Sequence, residues 1–139
     1  VSAVLLDTCA LIWLAGDAWI EPAAKQAIIA AAMGDGILVS PISAWEISLL
    51  AIRGRFSPVT TADGADRWFK AFLTRKGIRL AGFDYHTAID SASLPALPHR
   101  DPADRFLIAT ARQLQLPLVT RDGRIVEYAR AGHVQCIPC

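Results

Sequence analysis

No apolar run in the 139 residues reaches the ~20 that a membrane-spanning helix needs. Asp7 interrupts the first apolar run, so no signal peptide is expected either. Charge is scarce: Lys and Arg number 14, Asp and Glu 13, and the net charge is +1. The chain therefore has no global field to draw a polyanion, and an anionic substrate must be held by local patches or a metal. With 53% hydrophobic and 19% charged residues, intrinsic disorder is excluded and some apolar surface is expected to meet a partner. Cysteine is limited to Cys9, Cys136 and Cys139. The C-x-x-C at 136–139 lacks the second ligand pair of a zinc site, and no helix follows it as in a redox motif. Ordinary thiols in a reducing cytoplasm are expected. No G-x-G-x-x-G follows the first strand and no Walker A sequence occurs, which argues against dinucleotide and P-loop sites. Linkers, repeats and low-complexity tracts are also missing, so 1–139 is expected to form one domain.

What is present is an alternation of short apolar runs with longer periodic ones. Strands are expected at 3–6, 37–39, 78–80, 116–120 and 134–137. Helices are expected at 22–33, 43–53, 63–76, 84–94, 102–115 and 123–131, several bounded by Pro or Gly. Strands apolar on both faces, alternating with helices, imply a parallel sheet covered on each side, a three-layer α/β/α arrangement.

Only three of the acids are Glu, and four carboxylates recur at one kind of position. Asp7 ends the first strand. Glu46 lies in the first turn of the helix after the second strand. Asp104 opens the helix at Pro102, and Asp122 follows the Leu118-Val119-Thr120 strand. In a parallel sheet all four lie on the carboxyl edge, where ligands of open α/β sheets bind. Singly, three of them are ordinary caps: Ser43-x-x-Glu46 reads as a capping box, Asp101-Pro102-Ala103-Asp104 resembles one, and Asp122 suits an N-cap. Asp7 is the exception, since it ends a strand with no helix foreseen behind it. Two carboxylates ~5 Å apart repel by about 3 kcal/mol at an effective dielectric near 20, so a cluster of them calls for a cation. All-oxygen ligands select Mg²⁺ or Mn²⁺, and few ligands with several waters suit Mg²⁺ that also holds a phosphate.

Four segments together carry a family resemblance: Val4-Leu5-Leu6-Asp7-Thr8; Ser40 to Ile47 with Trp45-Glu46; His99 to Ala111 with Asp101-Pro102-Ala103-Asp104; and Leu118-Val119-Thr120-Arg121-Asp122. In this order and spacing, over roughly 4–137, the chain resembles the PIN-domain ribonucleases and, within them, the VapC toxins of toxin–antitoxin pairs. The resemblance implies a five-stranded parallel sheet and Mg²⁺- or Mn²⁺-dependent cleavage of RNA. It also implies a homodimer and a cognate antitoxin partner. By position, Asp7, Glu46, Asp104 and Asp122 match the family's acidic quartet, and Thr8 and Thr120 match small hydroxyl residues that flank it. Asp101 competes with Asp104 for the third place; Asp104 is the better match and Asp101 reads as the cap before Pro102.

The sequence reading is thus a cytoplasmic endoribonuclease toxin, in which Asp7, Glu46, Asp104 and Asp122 hold a divalent metal and metal-activated water cuts RNA. Arg100 and Arg105 flank the acidic edge and are candidates for holding phosphate oxygens. His86 and His99 are candidate bases, though solvated surface is the commoner role. The four Trp are not interleaved with basic residues as a stacking platform would be, and read as core or interface. Two rivals stand beside this reading. One is an Mg²⁺-dependent phosphotransfer protein with Asp7 as nucleophile, against which Thr8-Cys9 supplies no second Asp. The other is a non-catalytic RNA-binding module, which would ordinarily lose an acid.

Overall fold

The computed structural model describes residues 2–16, 18–59, 61–96 and 100–139. Among them the elements run β1 (Val4–Leu6), α1 (Thr8–Ala15), α2 (Pro22–Met33), β2 (Ile37–Val39), α3 (Pro41–Ile52), α4 (Ala62–Leu73), β3 (Ile78–Leu80), α5 (Tyr85–Ala92), α6 (Pro102–Leu114), β4 (Leu118–Thr120), α7 (Gly123–Arg130) and β5 (Cys136–Pro138). The strands form one all-parallel sheet in the order β3-β2-β1-β4-β5. This is the expected α/β architecture with five parallel strands. No described helix is long and apolar enough to cross a membrane.

The three central strands are buried at every position, and the edge strands β3 and β5 are partly open. Successive side chains leave a strand on opposite faces. Val4, Leu6 and Val119 therefore pack with Leu11, Ile28, Ile47 and Phe69 on one side of the sheet. Ala3, Leu5 and Leu118 pack with Leu107, Ile108 and Ile125 on the other. Burying one such aliphatic side chain is worth about 1.5–3 kcal/mol, so the two clusters anchor helices on both faces.

The chain builds outward from β1 to β2 and β3, then returns to place β4 and β5 on the far side. The order reverses between β1 and β4. At such a switch point the connections diverge and leave a crevice beyond the carboxyl ends of the strands. Leu6 is paired with Val119, which brings Asp7 and Thr120, the next residues, side by side at that crevice.

Two local expectations are corrected. Asp7 does have a helix behind it: α1 starts at Thr8, and the Asp7 side chain caps it. The helix escaped notice because its sequence, Thr-Cys-Ala-Leu-Ile-Trp-Leu-Ala, has no polar face to reveal a 3.6-residue period. In addition, α3 starts at Pro41 rather than Ser43. Ser40 is the N-cap, its hydroxyl accepting from Ile42 N at 3.0 Å, and Pro41 takes the first helical position. Ser43-x-x-Glu46 is therefore no capping box, and Glu46 sits in the second turn.

Candidate active site

Asp7 is held from two sides. Its Oδ1 accepts from Ala10 N at 2.7 Å, the N-cap bond of α1, and its Oδ2 accepts from the Thr120 hydroxyl of β4. A carboxylate offers about four acceptor positions, so two remain for the crevice. Thr120 Oγ1 in turn accepts from Asp122 N at 3.1 Å. One hydroxyl thus ties the ends of β1 and β4 together and fixes the turn that carries Asp122. Asp122 caps α7 by accepting from Arg124 N at 2.8 Å.

Glu46 is reached through a second hydroxyl chain. Thr8 Oγ1 donates to Glu46 Oε1 and lies 2.9 Å from Ser43 Oγ. A hydroxyl has one proton. With that of Thr8 committed to Glu46, Ser43 is the donor to Thr8. Ser43 is fully buried and Thr8 nearly so, so the inner end of this relay from α3 through α1 back to α3 is shielded from water. Asp101 caps α6, accepting from Ala103 N at 3.0 Å, and Asp104 stands in that helix's first turn.

The starts of α1, α3, α6 and α7 lie at the strands' carboxyl edge. Asp7, Glu46, Asp101, Asp104 and Asp122 accordingly line one cavity of about 360 Å³. Thr8, Cys9, Trp13, Arg121 and Arg124 complete its wall. Burial above all pushes Asp7 up to about 6; the charges of Asp104 and Asp122 add to this, and the Thr120 and Ala10 hydrogen bonds oppose it. Glu46 is likewise raised, first by burial and then by Asp104, Asp101 and Asp7, against the bond from Thr8. The Cys9 thiol is pushed up to about 11 by desolvation and by Asp7, Glu46 and Asp104, so it stays neutral and offers no thiolate. The three cysteines are unpaired thiols, as expected.

The donor set facing the cavity is thus all oxygen and strongly anionic, which fits a hard divalent cation. Among the described residues no three His, Cys, Asp or Glu form a closed ligating cluster. An ion here would take one or two carboxylates directly and reach the others through water, the habit of Mg²⁺ rather than of zinc.

The family model for the PIN domain matches residues 4–131. The chain is a PIN domain of the VapC family. It is 32% identical over 126 residues to "Ribonuclease VapC22" of Mycobacterium tuberculosis, across 90% of this chain and 91% of that one. Its fold is similar to that in the crystal structure of VapBC2 from Rickettsia felis bound to a promoter DNA fragment, with a TM-score of 0.69, 13% identity and 98% of each chain covered. It is also similar to DNA-bound VapBC from Salmonella typhimurium, with a TM-score of 0.65 and 15% identity over 98% of this chain and 97% of that one. A toxin–antitoxin complex from Klebsiella pneumoniae matches with a TM-score of 0.56 and 24% identity over 86% of each chain.

In this PIN domain the two arginines first suspected of holding phosphate lie elsewhere. Arg105 Nε donates to Ser91 O at 2.8 Å and Nη2 to Ala92 O at 3.2 Å, which ties its guanidinium to the carboxyl end of α5. Helix-terminal carbonyls attract a cation in this way. Arg100 is exposed and does not line the cavity. His99 falls outside the described residues, and His86 is exposed beside Tyr85. Trp19 and Trp45 are 68% and 52% exposed, so they are not core residues. Ser43 looks like a cap by local pattern but is the buried donor to Thr8, and the arginines on either side of Asp122 line the cavity. The signal was available in Thr120-Arg121-Asp122-Gly123-Arg124, where two cations bracket a site acid.

Proposed function

We propose that this PIN domain is the toxin of a toxin–antitoxin pair, an Mg²⁺- or Mn²⁺-dependent endoribonuclease whose catalytic groups are Asp7, Glu46, Asp104 and Asp122. The observation that carries the reading is the convergence of these four carboxylates, with Asp101, in one cavity at the sheet's switch point. Support comes also from the VapC22 relative, a ribonuclease by name, and from fold neighbours that include a VapBC2 crystal structure and a toxin–antitoxin complex.

A bound divalent ion supplies positive charge against the charge developing on phosphate and lowers the pKa of water it carries. The chain's own groups do the rest. Asp7, fixed by Ala10 N and Thr120, presents its remaining acceptor positions at the center of the crevice. Thr8 orients Glu46 through Oε1, so its other oxygen is set by the same geometry. Asp104, in the first turn of α6, and Asp122, the N-cap of α7, line the same cavity. No side-chain nucleophile is needed, and Cys9 is not one. Thr8, Thr120 and Ser43 act as positioning residues, because each hydrogen-bonds a carboxylate or the hydroxyl that holds one. Asp101 is assigned the cap of α6.

The antitoxin and a second copy of the chain are the proposed partners. Exposed Trp19, Met33, Trp45 and Tyr85 give apolar surface for them. The test is cleavage of a pool of cellular RNAs with a titration of Mg²⁺ and Mn²⁺, beside Asp7→Asn. Metal-dependent cleavage lost by at least 100-fold in Asp7→Asn is expected. Equal cleavage by both proteins would remove Asp7 from the site, and no cleavage under any metal would overturn the enzyme reading.

A further inference from the structure

Two arginines line the acid cavity, and they are placed differently. Arg121 is committed. Its Nε donates to Cys139 O at 2.7 Å, its Nη2 to Trp19 O at 3.2 Å, and its guanidinium lies 3.8 Å from the Trp13 ring centroid. It joins β4 to β5, to α1 and to the segment after α1. Arg124 is not committed in this way. Its side chain is 73% exposed, and its recorded contact is one loose approach, Nε to Asp122 Oδ1 at 3.7 Å. That oxygen is already engaged by Arg124's own backbone N–H at 2.8 Å.

The position is also costly on helix grounds. Arg124 is the second residue of α7, at the positive end of the helix, where a cation opposes the macrodipole. An acid or a neutral residue would serve α7 better. The helix gains nothing from this cation, which instead lies exposed on the wall of a cavity lined by five carboxylates.

We propose that Arg124 is a substrate-binding residue of this site, forming a subsite for a non-bridging phosphate oxygen of the RNA strand. The inference deepens the nuclease reading and rests on it. Arg121 is turned to backbone carbonyls and to Trp13, so that among the described lining residues Arg124 is the guanidinium left to turn toward a phosphate of an approaching polyanion. The guanidinium fork matches two phosphate oxygens, and the weak contact to Asp122 is exchanged for charge-assisted bonds of better geometry. Once it leaves, Asp122 Oδ1 has one less cation beside it and is better disposed toward a metal. Arg100 and Arg105 have no comparable place on the cavity wall.

The test pairs Arg124→Ala with Arg130→Ala. Arg130 lies on the same helix, is equally exposed, and pairs with Glu127 away from the cavity, so both variants lose one charge. RNA binding is read in an Asp7→Asn background, where cutting does not interfere, as a function of salt. Arg124→Ala is expected to weaken binding by roughly 10-fold and to flatten the log–log salt slope by about 0.7, the value for one phosphate contact on a single strand. With Asp7 intact, kcat/KM is expected to fall about 10- to 100-fold, with partial recovery in Arg124→Lys, which keeps the charge without the fork. Arg130→Ala is expected to change each quantity less than 2-fold. The binding loss is also expected to persist when Asp122→Asn is added; its disappearance there would mean that Arg124 merely serves Asp122, and would overturn the subsite. Wild-type cleavage with Arg124→Ala indistinguishable from Arg130→Ala would overturn it as well, leaving the nuclease reading in place. A wild-type protein that neither cuts RNA nor, as Asp7→Asn, binds it would bring down both.

Discussion

Asp7→Asn removes a charge from a place that resists one, and so it is expected to stabilise the metal-free protein. In the fold the Asp7 pKa rises from 3.8 to about 6, mainly through burial. A group whose pKa is raised on folding contributes its stability below the unfolded pKa and loses it as pH climbs through the folded value. With a folded pKa of about 6 against 3.8 unfolded, the ionised form costs the fold about 3 kcal/mol above pH ~7. Asn keeps an oxygen for Ala10 N but turns an amide toward Thr120, whose hydroxyl then lacks its acceptor; that loses about 1 kcal/mol. The balance is about 2 kcal/mol in favour of the variant at pH 8, or roughly 6 °C in Tm for a chain of this size. The advantage shrinks on acidification and is gone by about pH 4.5, where the native carboxyl is protonated. Thermal unfolding followed by circular dichroism in EDTA at several pH values reads this directly. Adding Mg²⁺ is expected to raise the Tm of the wild type, by mass action, and to leave the variant where it was. A metal-free variant less stable than wild type at pH 8, or a gap that does not vary with pH, would refute the reasoning.

Asp104→Asn is expected to cut kcat/KM at least 100-fold and Asp101→Asn only a few-fold, since Asn caps a helix about as well as Asp; the reverse ranking in a cleavage assay would show that Asp101 is the site acid. Ser43→Ala takes the donor from the Thr8 hydroxyl and is expected to lower kcat about 10-fold while costing about 1 kcal/mol in urea unfolding. Unchanged kcat there would mean that the relay does not orient Glu46. Arg105→Ala strips the carboxyl end of α5 of two charge-assisted bonds and is expected to cost about 1–2 kcal/mol with kcat within 2-fold of wild type. A large fall in kcat with normal stability would return Arg105 to the substrate.

The middle of the sheet was legible because β1, β2 and β4 are buried, mostly apolar runs ending at marked residues: Leu6 before Asp7, Val39 before Ser40, Thr120 before Asp122. The convergence of the acids followed from the parallel topology, since α1, α3, α6 and α7 all start at the same edge of the sheet. What escaped were features set by contacts between distant segments. α1 hides in an apolar stretch that would look the same as a buried strand or loop. Ser43 is a cap by local pattern, but Ser40 and Pro41 start the helix earlier, and the hydroxyl turns to Thr8, 35 residues away. Arg105 lies near the acids in sequence, yet its packing against α5 directs it to carbonyls at 91 and 92. Side-chain direction on a helix is decided by the neighbouring element, and a linear motif carries no record of it.

The ends of the RNA products report whether the carboxylate cavity is a metal-dependent nuclease center. An oligonucleotide containing the cut site is incubated with the protein in Mg²⁺ or in EDTA, with and without one 2′-deoxy substitution at the scissile position. The account predicts 5′-phosphate and 3′-hydroxyl ends, no product in EDTA, and cleavage that survives the deoxy substitution, because no step draws on the 2′-hydroxyl as nucleophile. A 2′,3′-cyclic phosphate that still forms in EDTA would contradict it and move the chemistry away from Asp7, Glu46, Asp104 and Asp122.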